Sequence, residues 1–218
     1  MSKIILDFDG VLFDSAYEAF SVCQNMLNLN SIKGLRNDVS YTEFRLYRPK
    51  VKNADDFIPL YFNEECVIET KEFLKLFFLS RENLMISENY ASNYYPKFEF
   101  LRQILPMMQK NSNLFFILST RDTKSINIVL ESNGIFMKDN IIGQDSIRKH
   151  GNKINALKAY GISNCDLYID DMRHYVDELN EISDISLMAD WGYGLKDPDS
   201  VSFHTAVEIT RYVYSRGV

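Results

Sequence analysis

Residues 4–8 form a short apolar run rich in β-branched side chains, the pattern of a strand buried on both faces. The run stops at Asp9-Gly10, a turn signal. Similar runs recur at 114–118 and 166–169, and a fourth lies at 185–188. Between them the apolar period becomes helical. Asp122 can cap a helix carrying Ile126, Val129 and Leu130, with Asn133-Gly134 as its stop. Asn152 can cap another carrying Ile154 and Leu157, stopped by Gly161, and residues 205–214 read as a terminal helix. Strands alternating with helices predict an α/β fold with an open parallel sheet covered on both faces. Such sheets bind ligands at the carboxyl ends of their strands.

Residues 16–94 break this rhythm. Helical patterns are present, as in Ala19, Phe20, Cys23, Met26 and Leu27 and again in Val67, Thr70, Leu74 and Phe77, without a buried strand. The segment reads as an all-helical insertion, which makes 1–15 and 95–218 the core domain and 16–94 a cap. The core resumes with a helix through Phe98, Leu101, Leu105 and Met108, which Pro106 should kink or end early.

Composition narrows the picture. A hydrophobic fraction of 46% and an aromatic fraction of 13% supply a packed core. A formal charge of -6 argues against a protein that coats nucleic acid through clustered cations. No run approaches the ~20 apolar residues that span a membrane. Cys23, Cys66 and Cys165 are far apart and odd in number, so reduced thiols in a cytoplasmic protein are expected.

The candidate chemistry sits where the apolar runs end. The first leads into Asp7-Phe8-Asp9-Gly10, and two carboxylates at the end of a buried strand are costly without a compensating ion. Oxygen ligands with little nitrogen or sulfur nearby suit magnesium. A strand-ending Asp pair could also merely cap a turn. A second apolar run ends in Asp170-Asp171, and a third in Ser119-Thr120-Arg121, two hydroxyls and a cation. Parallel strands would bring all three endings to one edge.

On these residues the sequence resembles the haloacid dehalogenase-like hydrolases, in particular their phosphoglycolate phosphatase and β-phosphoglucomutase branch. Residues 7–15, Asp-Phe-Asp-Gly-Val-Leu-Phe-Asp-Ser, resemble that family's first motif, Ser119 its second and Asp170-Asp171 its acidic fourth. Tyr95-Pro96 resembles the return from its cap, and Trp191-Gly192-Tyr193-Gly194 a segment near its end. The resemblance implies a Rossmann-like core with a helical cap that closes over the site and sets specificity. It also implies a magnesium-dependent phosphatase acting on a small phosphate ester through an aspartyl-phosphate on Asp7. Asp9 would be the general acid and base. Magnesium would be held by Asp7, the Asp9 carbonyl and Asp171, with Asp170 as a further or water-mediated ligand. Ser119 would bind a phosphoryl oxygen, helped by the backbone from Gly10 on and by Thr120 and Arg121. The family's lysine corresponds either to Lys153, in the first turn of the Asn152-capped helix, or to Lys149, with Lys153 favoured.

Two other readings use the same residues: a phosphomutase, passing the phosphoryl group to a sugar, and a binding module that keeps the fold without catalysis. Dehalogenation is disfavoured, since it has no need of Asp9. Arg45, Arg48, Lys50 and Lys52 form a basic stretch in the cap, either a substrate-recognition set or a solvated face. His150 and His174 flank the site, and Trp191 and Tyr193 read as packing or loop residues.

Overall fold

The computed structural model describes residues 2–30, 36, 38–62, 68–194 and 197–217. Two compact units are present, one of residues 1–14 and 96–218 and the other of residues 15–95.

The first unit is built on a five-stranded parallel sheet. Its strands are β1 (Ile4–Leu6), β2 (Phe115–Leu118), β3 (Ile141–Ile142), β4 (Leu167–Asp170) and β5 (Ser186–Met188), in the order β3-β2-β1-β4-β5. The central position of β1 explains its composition: Ile4, Ile5 and Leu6 are fully buried because neighbouring strands and covering helices leave no wet face. Ile5 stands opposite Phe116 on one side and Tyr168 on the other, which fixes the register of everything beyond the strand ends. β1, β2 and β5 fall within the apolar runs, β4 follows its run and extends one residue past it to Asp170, and β3, a two-residue edge strand, is an addition to them.

The inserted unit contains helices and no strand among its described residues: α1 (Ala16–Asn30), α2 (Tyr41–Tyr47), α3 (Ile58–Tyr61), α4 (Thr70–Met85) and α5 (Tyr90–Tyr94). In α1, Ala19, Cys23 and Met26 are buried, as their spacing predicts. In α4 the buried face is Phe73, Phe77, Ser80, Arg81 and Leu84, while Thr70 is exposed. The expected Val67 and Cys66 lie outside the described residues. At the centre Arg81 donates to both carboxylate oxygens of the fully buried Glu18, at 2.8 and 3.2 Å, and Tyr90 Oη donates to the same carboxylate at 3.0 Å. Such a pair survives burial only because its hydrogen bonds are met.

The core unit is completed by α6 (Glu99–Lys110), α7 (Thr123–Ser132), α8 (Gln144–His150), α9 (Lys153–Ala159), α10 (Arg173–Leu179) and α11 (Phe203–Gly217). Asp122 caps α7 by accepting from Ser125 N at 2.8 Å, and Asn152 caps α9 by accepting from Asn155 N at 2.8 Å. Beyond these helices Gly134 and Gly161 adopt positive φ, +70° and +75°. Pro106 does not end its helix as expected: α6 continues to Lys110. The proline lies on the exposed face, as does Arg102, whose carbonyl loses its partner to the missing N–H and can turn to water.

The chain leaves and re-enters this unit through a closed joint. Asp14 N donates to Pro96 O at 2.9 Å and Phe98 N to Leu12 O at 3.1 Å, with an antiparallel bridge between Phe13 and Lys97.

Candidate active site

Side chains alternate along a strand, so Ile5 and Asp7 share one face of β1 and its extension, and Tyr168 and Asp170 share one face of β4. The β1–β4 register brings these faces together, and Asp7 N donates to Ile169 O at 2.9 Å just past the last paired residue. The capped start of α9 delivers Lys153 to the same place. Its Nζ lies 3.1 Å from Asp7 Oδ1, 2.7 Å from Asp170 Oδ2 and 3.1 Å from Tyr168 Oη. The ammonium also stands 3.9 Å from the centre of the Tyr175 ring of α10. Lys149, the other candidate lysine, is exposed on α8.

Asp7, Asp170 and Asp171 form an acidic triad whose nearest oxygens all lie within 4.8 Å of one another. All three residues are buried. Asp171 is held by backbone amides, Tyr193 N donating to its Oδ2 at 2.5 Å and Gly194 N at 3.2 Å. Gly10, at φ +87°, lies against this carboxylate: a Cβ there would come within 2.3 Å of Asp171 Oδ2. Gly192 and Gly194 are similarly tight, with a Cβ at 194 falling 1.8 Å from the Asp171 carbonyl oxygen. Thus the Trp191–Gly194 segment, apart from its packing, supplies the donors that fix Asp171. Trp191 and Tyr193 themselves tie down the first loop, Trp191 Nε1 donating to Val11 O at 3.1 Å and Tyr193 Oη to Asp14 Oδ1 at 2.8 Å.

Asp9 takes a different partner from Asp7. Arg121 Nε donates to both of its oxygens, and Arg121 N lies 3.3 Å from Ser119 Oγ. Ser119 is buried at the end of β2 and tied to β3 by its N–H, which donates to Ile142 O at 3.0 Å, while Thr120 is half-buried beside it. The Arg121 carbonyl accepts from Gln144 N at 2.8 Å, so the loop after β2 is anchored on the start of α8.

Electrostatics follow from burial. Removal from water pushes the Asp7 carboxyl well above its ordinary 3.8; Lys153 opposes this, and Asp170, Asp171 and Asp9 add to it. For Lys153, burial alone would lower the ammonium's pKa, but the carboxylates of Asp170 and Asp7 outweigh it and hold the group protonated, above its ordinary 10.5. With all three carboxylates ionised, one ammonium leaves two negative charges, which one divalent cation would balance. Three converging, buried carboxylates with no histidine or cysteine among them fit magnesium, and cation binding would remove the reason for Asp7 to hold a proton.

Several predicted site residues therefore meet: Asp7, Lys153, Asp170 and Asp171 in one cluster, with Asp9, Ser119 and Arg121 in the adjoining one. Tyr168, Tyr175 and the amides of residues 193 and 194 were not expected from sequence. Tyr168 reads as one more apolar residue of its strand, although its two-residue spacing from Asp170 was the available signal. His174 packs its ring on Tyr175 at 3.9 Å, and His150 O accepts from Asn155 Nδ2 at 3.2 Å. In the inserted unit Arg45, Lys50 and Lys52 are exposed, while Arg48 Nη1 donates to Val51 O at 2.9 Å.

No protein-family model and no curated protein matches the chain. Solved structures do. A predicted phosphatase from Clostridium acetobutylicum is 14% identical with a TM-score of 0.69, over 97% of this chain and 99% of its own. A haloacid dehalogenase-like family hydrolase from Streptococcus pneumoniae is 16% identical with a TM-score of 0.66, over 97% and 98%. A CbbY mutant from Rhodobacter sphaeroides, crystallised with xylulose-1,5-bisphosphate, is 10% identical with a TM-score of 0.63, over 93% and 92%. The sheet order, the inserted helical unit and these matches along nearly the whole chain agree: the protein has the fold of the haloacid dehalogenase-like hydrolases.

Proposed function

We propose that the protein is a phosphoric monoester hydrolase that uses Asp7 as nucleophile and requires magnesium. The observation that carries this reading is the buried cluster of Asp7, Asp170 and Asp171 around a single ammonium at the carboxyl ends of β1 and β4. Stability alone does not ask for so many buried charges, whereas phosphoryl transfer does.

In the first half-reaction a carboxylate oxygen of Asp7 attacks phosphorus in line with the ester oxygen. The new O–P bond forms as the ester P–O bond breaks. The departing oxygen takes a proton from Asp9, and the product is an alcohol and an aspartyl-phosphate. In the second half, water attacks the same phosphorus, Asp9 takes its proton, and the Asp7 O–P bond breaks to release inorganic phosphate. Lys153 fixes the rotation of the Asp7 carboxylate and offsets charge on the phosphoryl oxygens. Ser119 Oγ and the amides following Asp9 would bind those oxygens. Magnesium held by Asp7, Asp171, the Asp9 carbonyl and, directly or through water, Asp170 would supply Lewis-acid neutralisation of the charge between nucleophile and phosphate.

The substrate is proposed to be a small phosphorylated metabolite. A CbbY structure carries xylulose-1,5-bisphosphate, which favours sugar phosphates as first compounds to test. Residues 15–95 would act as the cap that sets specificity, as loops and insertions beyond strand ends commonly do.

The test is phosphate release from a panel of phosphate esters, with and without magnesium, for the wild type and Asp7→Asn. Magnesium-dependent release that is lost in a folded Asp7→Asn variant is expected. Undiminished release from that variant would overturn the nucleophile, and no release from any ester would overturn the hydrolase.

A further inference from the structure

The geometry points to Tyr168 as a positioning residue that aims the Lys153 ammonium at Asp7. This rests on the aspartate chemistry proposed above and adds a residue to it.

An ammonium has three N–H donors, and each of the three at Lys153 finds a different acceptor: Asp7 Oδ1 at 3.1 Å, Asp170 Oδ2 at 2.7 Å and Tyr168 Oη at 3.1 Å. Lys153 is 1% exposed and Tyr168 fully buried, so water is not a ready substitute for any of them. The tyrosine hydroxyl accepts from the lysine and donates its own hydrogen to Asp170 Oδ2. It thus closes a triangle of lysine, tyrosine and aspartate. With two acceptors one N–H of this dry ammonium would have no partner, and its pull on Asp7 and Asp170 would be unbalanced. The Tyr168 hydroxyl satisfies the third N–H and so holds the ammonium where another of its N–H groups meets Asp7.

Asp170 is in turn fixed from its other oxygen, which accepts from Met172 N at 2.8 Å. The Tyr175 ring face bounds the ammonium on a further side. The triangle is therefore anchored to β4 at both Tyr168 and Asp170, and the strand register transmits that anchoring to Asp7. Tyr168 has no direct part in bond making. Its effect reaches the reaction only through Lys153, and so through the orientation of the Asp7 carboxylate.

Tyr168→Phe removes one oxygen atom and keeps the ring that fills the core. In protein labelled with 15N-lysine, the buried Lys153 ammonium should give a slowly exchanging signal with a cross-peak to the Tyr168 ring protons. In Tyr168→Phe its exchange should accelerate by about tenfold or more. With p-nitrophenyl phosphate as probe, kcat should fall on the order of 10- to 100-fold while KM stays within about threefold, the signature of lost alignment. A purely structural role would instead lower the melting temperature and leave kcat per folded molecule unchanged.

Unchanged exchange in the variant, or unchanged kcat, would overturn the inference, as would a wild-type ammonium without contact to Tyr168. That last measurement holds even where the variant fails to fold. Should the wild type hydrolyse no ester at all, the hydrolase reading falls, and the ammonium measurements still decide whether Tyr168 positions Lys153.

Discussion

Arg121 Nε stands 2.8 Å from Oδ2 and 3.1 Å from Oδ1 of Asp9, pairing residues beyond the ends of two neighbouring strands. The side chains are 5% and 15% exposed, so this is a largely dry pair. It gives Asp9 a single orientation, which the acid and base role proposed for it needs in order to reach both a departing oxygen and an incoming water. Arg121→Lys keeps the charge without the planar contact to both oxygens, and Arg121→Met removes both. Turnover should fall by about tenfold in the first and about a hundredfold in the second. Urea denaturation should show Arg121→Met less stable by roughly 1.5–3 kcal/mol, the range for a hydrogen bond to a buried charge.

Gly10 and Gly161 offer a comparison between strain and collision. Both have positive φ, +87° and +75°, but an added Cβ meets Asp171 at position 10 and nothing within 4 Å at position 161. Gly161→Ala should cost about 1–2 kcal/mol of stability and leave turnover intact. Gly10→Ala should cost a similar amount and also displace the Asp171 carboxylate. Its turnover should drop by about a hundredfold or more, with weaker magnesium dependence. Thermal denaturation and steady-state rates measured side by side separate the two effects.

Burial pushes the Cys165 thiol up from 9.0 to about 11, with its bond to Ser183 working against the rise. The folded chain then keeps this proton to higher pH than the unfolded chain does. Its contribution to stability is accordingly whole below pH 9 and declines as pH rises from about 9 through 11. At pH 8 little thiolate exists at this position, so alkylation by iodoacetamide should be far slower in the folded protein than in urea. Peptide mass spectrometry of the Cys165 segment reads this directly, and equal rates in both states would contradict the burial.

Much of the core was legible because strands buried on both faces leave continuous apolar runs, and because Asp122 and Asn152 announce the helices they cap. β3 was missed: two isoleucines at a sheet edge are too short to make a pattern. α8 was missed for a related reason, since it has no buried residue and therefore no apolar period. In the site, Asp7, Asp170 and Asp171 stood out as carboxylates where apolar runs end. The pairing of Asp9 with Arg121 depends on which strands are neighbours, which local pattern does not reveal. Tyr168 was overlooked because a tyrosine inside an apolar strand looks like core until the lysine above it is seen.

The joint at Asp14 and Pro96 has a consequence for how such a protein can change. Where the two ends of an insertion are hydrogen-bonded to each other, the host sheet experiences a hairpin, whatever lies between them. Residues 15–95 can therefore lengthen, shorten or exchange side chains without moving β1 against β4. The register that holds the acidic triad and its lysine is insulated from that drift. If the proposed function holds, a lineage can in this way try one substrate after another on an unchanged acidic cluster, with each trial written into residues 15–95.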